Sequence, residues 1–246
     1  MKLGPYDLDT ITTGDARETA LPNESIGVIL TSPPYNVGLQ YEGFEDRLSP
    51  DEHKEFNRQW LAEAYRIAQD GCRLYVIVSD EMIWWMRPLA EGIGWRWGQL
   101  LTWCKPNLLG RRGFSSRISN DWNYMSEPIL LFRKGKRQPM LSNALSCTFN
   151  WFIETVPQSN YAGGRIHPAQ LPILLCLKIL ARTPGEVVLD PFAGSGSVLV
   201  AAKMLGRRYL GFEIVPQVAE AARRRLVETS YPLPLQLEQQ SEAAFA

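Results

Sequence analysis

Residues 186–206 read EVVLDPFAGSGSVLVAAKMLG: an apolar run ending in Asp190, a glycine-rich turn, then an amphipathic stretch of helical length. A strand that passes into a helix through such a turn lets backbone N–H groups approach a ligand closely, because Gly194 and Gly196 carry no side chain to block it. Position 199, where a dinucleotide fingerprint needs its third glycine, holds Leu199, and no Lys-Ser/Thr pair follows, so a P-loop is excluded. Beyond the helix, RRYLGFEI supplies a second strand ending near Glu213, an acid placed to take both hydroxyls of a ribose. The pattern demands an α/β fold and points to a nucleoside-type cofactor.

Strand-length apolar runs alternate with helical periodicity elsewhere, as in a mainly parallel sheet covered by helices on both faces. Strands are expected at Leu8–Thr13, Ile26–Thr31, Cys72–Ser79, Gly98–Cys104, Pro128–Arg133, Glu186–Asp190 and Arg208–Phe212. Helices are expected at Pro50–Gln69, with Gly71 as its stop, and at Leu171–Ala181, Ser197–Leu205 and Pro216–Val227. Trp84, Trp85, Trp95, Trp97 and Trp103 are read as core or pocket wall, since large aromatics fill α/β interiors. A chain of 246 residues that is 45% hydrophobic builds one large core. Residues 1–228 are therefore expected as a single domain, and 229–246, with little to bury, as a mobile tail.

No apolar span of about twenty residues is present for a membrane crossing. MKLGPYDLDT lacks the apolar middle of a secretory signal, which makes a cytoplasmic protein the expectation. Cys72, Cys104, Cys147 and Cys176 are too scattered for a zinc ribbon or a C-x-x-C pair, so no metal is expected. Formal charge is +0, yet Arg96–Arg137 is basic apart from Asp121 and Glu127, which marks a local basic surface.

TSPPYN, residues 31–36, follows directly on the apolar run SIGVIL. Two prolines fix the backbone there and remove its donors; alone, the stretch reads as a turn closing a strand. Together with DPFAGSGS it resembles the S-adenosylmethionine-dependent amino-methyltransferases that modify DNA, whose catalytic motif is (D/N/S)-P-P-(Y/F/W) and whose cofactor motif is D-P-F-x-G-S-G. The catalytic motif comes first, as in the circularly permuted β group of that family, and the resemblance spans Asp7 to Leu226. It implies a Rossmann-like class I methyltransferase fold, circularly permuted, with a seven-stranded, mainly parallel sheet in which Leu8–Thr13 lies beside Arg208–Phe212.

Residue roles follow from the resemblance. Ser32, Pro33, Pro34 and Tyr35 are the implied catalytic set. Asp15 and Ala16 of TGDA, His167 of RIHPAQ, the loop residues Asp190, Pro191, Phe192, Gly194, Ser195 and Gly196, and Glu213 are implied to hold S-adenosyl-L-methionine. Asn123–Phe132 is similar to the strand that closes the target-base pocket. An exocyclic amino group is a weak nucleophile because its lone pair is delocalised into the ring, whereas a sulfonium methyl is already electrophilic; the enzyme mainly supplies alignment. Ser32 Oγ and the Pro33 carbonyl would accept the two amino protons, and Tyr35 would stack on a base turned out of the helix. Ser at position 32 is commoner among cytosine-N4 members and Asp or Asn among adenine-N6 members. Cytosine N4 is the favoured target, with adenine N6, an RNA amino group and a non-catalytic DNA-binding module as alternatives.

Double-stranded DNA is the partner so implied. Arg111, Arg112 and Arg117 are expected on phosphates, Phe114 as a wedge, and Lys134, Lys136 and Arg137 along the other strand. Larger relatives carry a separate recognition region where this chain has only residues 134–164. Recognition is therefore expected to be short, shared with the 110–121 loop, or completed by a second copy of the chain; a homodimer and a cognate restriction endonuclease are the further candidate partners.

Overall fold

The computed structural model describes residues 1–38, 40–41, 44–45, 47–106, 125–141, 149–157 and 169–229. In chain order the strands are β1 (Lys2–Leu3), β2 (Tyr6–Asp7), β3 (Thr10–Thr13), β4 (Ile26–Thr31), β5 (Gln40–Tyr41), β6 (Phe44–Glu45), β7 (Ala68–Ile77), β8 (Arg96–Cys104), β9 (Ser126–Arg133), β10 (Trp151–Ile153), β11 (Val187–Asp190) and β12 (Arg208–Glu213). The helices are α1 (Pro50–Ile67), α2 (Asp80–Ile93), α3 (Ile173–Arg182), α4 (Ser197–Met204) and α5 (Pro216–Glu228).

One eight-stranded sheet, in the order β10-β8-β9-β7-β4-β11-β12-β3, organises the molecule. Only β9 is reversed, running antiparallel to both β7 and β8. The seven expected strands are all in this sheet. The eighth, β10, arises within residues 134–164 and pairs in parallel with Thr102–Cys104 of β8. β4 is buried along its whole length, as its unbroken apolar run requires of a strand flanked by β7 and β11 and covered on both faces. The edge strand β3 pairs with β12 from Thr10↔Leu210 to Thr13↔Glu213, so the two ends of the described chain meet, as the permuted order implied. α3, α4 and α5 pack their apolar residues on one face of the sheet, and α1 and α2 theirs on the other.

α1 starts at a capping box: Ser49 Oγ accepts from the Glu52 N–H while the Glu52 carboxylate accepts from the Ser49 N–H, a device contributing about 1 kcal/mol. Gly71 is not its stop. α1 ends at Ile67 and β7 begins at once; Gly71, at φ +84°, sits where the pairing of β7 with β4 jumps from Ile26↔Ala68 to Val28↔Arg73. α2 was not foreseen, and its phase corrects one expectation. Met82, Met86 and Ala90 recur every fourth position on its buried side, which leaves Trp84 out of phase and 84% exposed. Trp95 and Trp103 are core, whereas Trp85 and Trp97 are partly buried. Among the described residues no helix is long and apolar enough to cross a membrane, and no group of three or more His, Cys, Asp or Glu is placed to hold a metal ion. Residues 230–246 lie outside the described set.

Candidate active site

β11 lies between β4 and β12, so the segments leaving the carboxyl ends of these three strands are neighbours. Thr31, the last residue of β4, donates from Oγ1 to Asp190 Oδ1 at 2.7 Å, tying the S-P-P-Y corner to the glycine loop. The Phe192 N–H donates to the same oxygen at 3.1 Å. Burial pushes the Asp190 carboxyl from its ordinary 3.8 up to about 7; these two hydrogen bonds oppose the shift and the Glu213 charge adds to it.

The loop is folded onto β12. The Ala193 N–H donates to Phe212 O at 2.8 Å, and the Gly196 N–H to Ala193 O at 2.7 Å. Gly194 and Gly196 have φ of +47° and +76°, a region other residues enter at a cost, and Gly196 is the N-cap of α4. Glu213 holds the loop from the other side. Its two carboxylate oxygens accept from the Gly194 and Val215 N–H groups, each at 2.9 Å. Burial raises its pKa and the amides of Val215, Gly194 and Ile214 oppose this. Across the cleft, Asp15 accepts from the Arg17 backbone N–H and guanidinium, the latter as close as 2.6 Å. Burial raises the Asp15 pKa, but the Arg17 bonds outweigh it and leave it below the ordinary range.

The corner is held by side chains from α1 and β9. The Pro34 carbonyl lies 3.2 Å from His53 Nε2. Asn36, at φ +59°, clasps the Leu48 backbone through both ends of its amide, at 2.8 and 2.7 Å. Tyr35 OH donates to Glu127 Oε2 at 3.2 Å, and Lys105 Nζ closes an ion pair on Glu127 Oε1. Ser32 Oγ stands 3.1 Å from Tyr35 OH. A tyrosine hydroxyl has one proton, and here it goes to Glu127, so the proton between Ser32 and Tyr35 belongs to Ser32. Ser32 Oγ thus keeps its lone pairs for an incoming N–H donor. The Glu127 carboxylate, acting through two hydroxyls, makes it a stronger acceptor than an isolated serine.

Asp15, Ala16, Ser32, Pro33, Pro34, Tyr35, Asp190, Pro191, Phe192, Gly194, Ser195 and Glu213 all line one cavity. Gly196 lies behind it at the start of α4. His167 falls outside the described residues, but Ala169 and Leu171, just after it, line the same cavity. Sequence reasoning missed Phe56, which lines the cavity from α1, and Arg17, Glu127 and Lys105. Glu127 alone carried a signal: it is one of two acids in an otherwise basic stretch.

Arg111, Arg112, Phe114 and Arg117 also fall outside the described residues. The direction of β9 sets Lys134, Lys136 and Arg137 away from the corner. Glu127, near its start, is beside the corner, and Arg133, at its end, is about 20 Å further along. The residues that follow emerge at the opposite end of the sheet. Lys134 donates to the Tyr65 and Ala68 carbonyls at 3.0 and 2.8 Å and so closes the end of α1.

A doubly wound sheet with a motif corner on one strand and an acid-flanked glycine loop on the next defines a class I methyltransferase. Residues 26–224 match the DNA methylase family grouping N6 and N4 enzymes, and the chain belongs to that family. It is 28% identical to the type II methyltransferase M.HpaI of Haemophilus parainfluenzae, over 84% of this chain and 69% of that one. It is also 28% identical to M.HinfI of Haemophilus influenzae, over 90% and 69%. Among solved structures, the cytosine-N4-specific PvuII DNA methyltransferase shares the fold with a TM-score of 0.73 at 17% identity, over 94% of this chain and 89% of that one. A DNA modification methylase of Thermus thermophilus, complexed with S-adenosyl-L-methionine, does so at 0.69 and 22%, over 91% and 95%.

The cavity's own chemistry agrees with such a cofactor. Its described lining contains three carboxylates, Asp15, Asp190 and Glu213, and no cationic side chain. A phosphate-bearing nucleotide would be repelled; a nucleoside carrying a sulfonium and an ammonium fits.

Proposed function

We propose that the chain transfers the methyl group of S-adenosylmethionine to the exocyclic amino nitrogen of a base turned out of duplex DNA, with cytosine N4 as the target. The observation that carries this reading is the Ser32–Tyr35–Glu127–Lys105 chain of contacts at the mouth of the acid-lined cavity. When bound, the cofactor supplies an electrophilic methyl group. Glu213, with the lone pairs its two backbone amides leave free, would take the ribose hydroxyls, and Asp15, steadied by Arg17, would hold the adenine end. Phe56, Phe192 and Val215 give the nucleoside apolar walls.

Ser32 Oγ and the Pro33 carbonyl accept the two amino protons, which draws the base nitrogen toward tetrahedral geometry and frees its lone pair. Tyr35 offers its ring to the base, and its hydroxyl, fixed on Glu127, sets the angle of that ring. The link from Thr31 to Asp190 keeps the corner in register with the glycine loop, so nitrogen and methyl are aligned by one rigid unit. The preference for cytosine rests on Ser32, the commoner residue among N4 members.

The test is to incubate the protein with S-adenosylmethionine and unmodified duplex DNA, digest to nucleosides and identify the methylated species by mass. N4-methylcytosine is the expected product. N6-methyladenine would keep the mechanism and overturn the choice of base. An absence of any methylated nucleoside, with cofactor bound, would overturn the proposal.

A further inference from the structure

A second cavity opens where α3 covers the sheet, over β7, β8 and β9, at the end of β9 away from the corner. Its lining is the opposite of the first. Arg73, Arg133, Arg137, Arg182 and Lys178 face it, and among the described residues no carboxylate does. Lys178 is taken up by an ion pair to Glu154 at 2.6 Å, and Arg133 donates to the Trp97 carbonyl at 3.2 Å. Arg137 and Arg182 have no carboxylate partner among the described residues. Arg73 is the decisive residue. It is 3% exposed, its Nη2 donates to the Gln138 carbonyl, and its buried Nη1 has no hydrogen-bond partner among the described residues.

A guanidinium buried among other arginines, with one nitrogen unsatisfied, is costly unless an anion completes it. Burial and the charges of Arg133 and Arg137 all weaken its hold on its proton. Tyr75 OH donates to Thr183 Oγ1 at 2.9 Å, whose own proton goes to the Ile179 carbonyl at 2.7 Å, so Tyr75 closes this wall without adding a donor. Planar guanidinium forks match the oxygens of a phosphate, and several cations converging on one recess suit a dianion better than chloride. A phosphodiester of duplex DNA is flanked by two sugars and offers two free oxygens; a terminal phosphate is flanked by one at most and offers three, which suits several converging cations better.

We propose that this cavity is a binding site for a terminal phosphate group, as inorganic phosphate or a phosphomonoester, separate from the methyl-transfer site. The experiment is isothermal titration of the full chain with inorganic phosphate, with ribose 5-phosphate, with a short unmodified duplex and with chloride at matched ionic strength. One saturable site for phosphate or ribose 5-phosphate is expected, and tighter binding of the sugar phosphate would identify a phosphomonoester as the source. Arg73→Met and Arg182→Gln should each weaken binding about tenfold or more, with cofactor affinity unchanged. Arg182 is half-buried, so its variant keeps the test decisive should Arg73→Met fail to fold. No saturable binding, equal binding by Arg182→Gln, or binding of the duplex alone would overturn the proposal.

Discussion

The two cavities of this molecule share one sheet and carry opposite charge. Among the described residues, the one beyond the carboxyl ends of β4, β11 and β12 is lined by three carboxylates and no cation; the one under α3 is lined by four arginines and a lysine and no carboxylate. Like charges crowded at low exposure are unfavourable in the empty protein, and each set finds relief in a ligand of the other sign. They differ in how the charges are restrained. Glu213 and Asp190 are held by backbone amides of the loop they serve, so the acidic site is built before its ligand arrives. The basic site leaves a buried nitrogen, Arg73 Nη1, without a hydrogen-bond partner among the described residues.

The largest effect expected at the acidic site is from Gly194→Val. A β-branched residue at φ +47° is strained by roughly 1–2 kcal/mol and its branches enter the cavity, so cofactor affinity should fall more than about a hundredfold by titration calorimetry. Phosphate binding under α3 should not change; a loss of both would break the separation of the two sites. Glu127→Gln comes next. Removing the charge behind Tyr35 and Ser32 should slow methyl transfer about a hundredfold at saturating cofactor and leave cofactor affinity intact. Equal losses in rate and affinity would show that Glu127 shapes the cavity and does not act through the corner.

Asp190 sharpens the comparison through pH. Its folded pKa, about 7, is raised above the ordinary 3.8, so the folded state holds the proton more tightly. Its contribution to stability is fully present below about pH 4 and is lost as pH rises through about 7, at no more than about 1.4 kcal/mol per pH unit. Thermal unfolding of the ligand-free chain across that range should show the decline, and Asp190→Asn should flatten it to what Glu213, raised in the same direction, still imposes. An unchanged slope in the variant would remove Asp190 as its source. Thr31→Val is the smallest change: losing one buried hydrogen bond should cost about 1 kcal/mol in chemical denaturation and, by raising the Asp190 pKa further, carry the same decline to higher pH.

What was legible in the sequence follows from how local each feature is. The glycine loop, Asp190 and Glu213 lie within one strand–turn–helix–strand unit, so their spacing alone fixed their meeting. The pairing of β3 with β12 followed from the order of the two motifs. The contacts that complete the corner are not local: Glu127 reaches Tyr35, and His53 reaches Pro34, across folded elements, and no periodicity records them. α2 was missed because DEMIWWMRPLAEGI carries Pro88 and Gly92 in its second half, so tertiary packing of Met82, Met86 and Ala90 outweighs propensity. Arg133–Arg137 leaves the sheet at the end away from the corner because β9 runs against its neighbours, a reversal that charge along the chain does not record.

The most direct test of the central claim, that the Ser32–Tyr35 corner delivers the attacking nitrogen, is single-turnover transfer of a labelled methyl group to duplex DNA by Ser32→Ala, with cofactor affinity measured on the same preparation. Transfer slowed about a hundredfold with affinity unchanged is the predicted result. Transfer at the unsubstituted rate would contradict the account, because the chain of contacts from Lys105 and Glu127 would then end on an atom the reaction does not use.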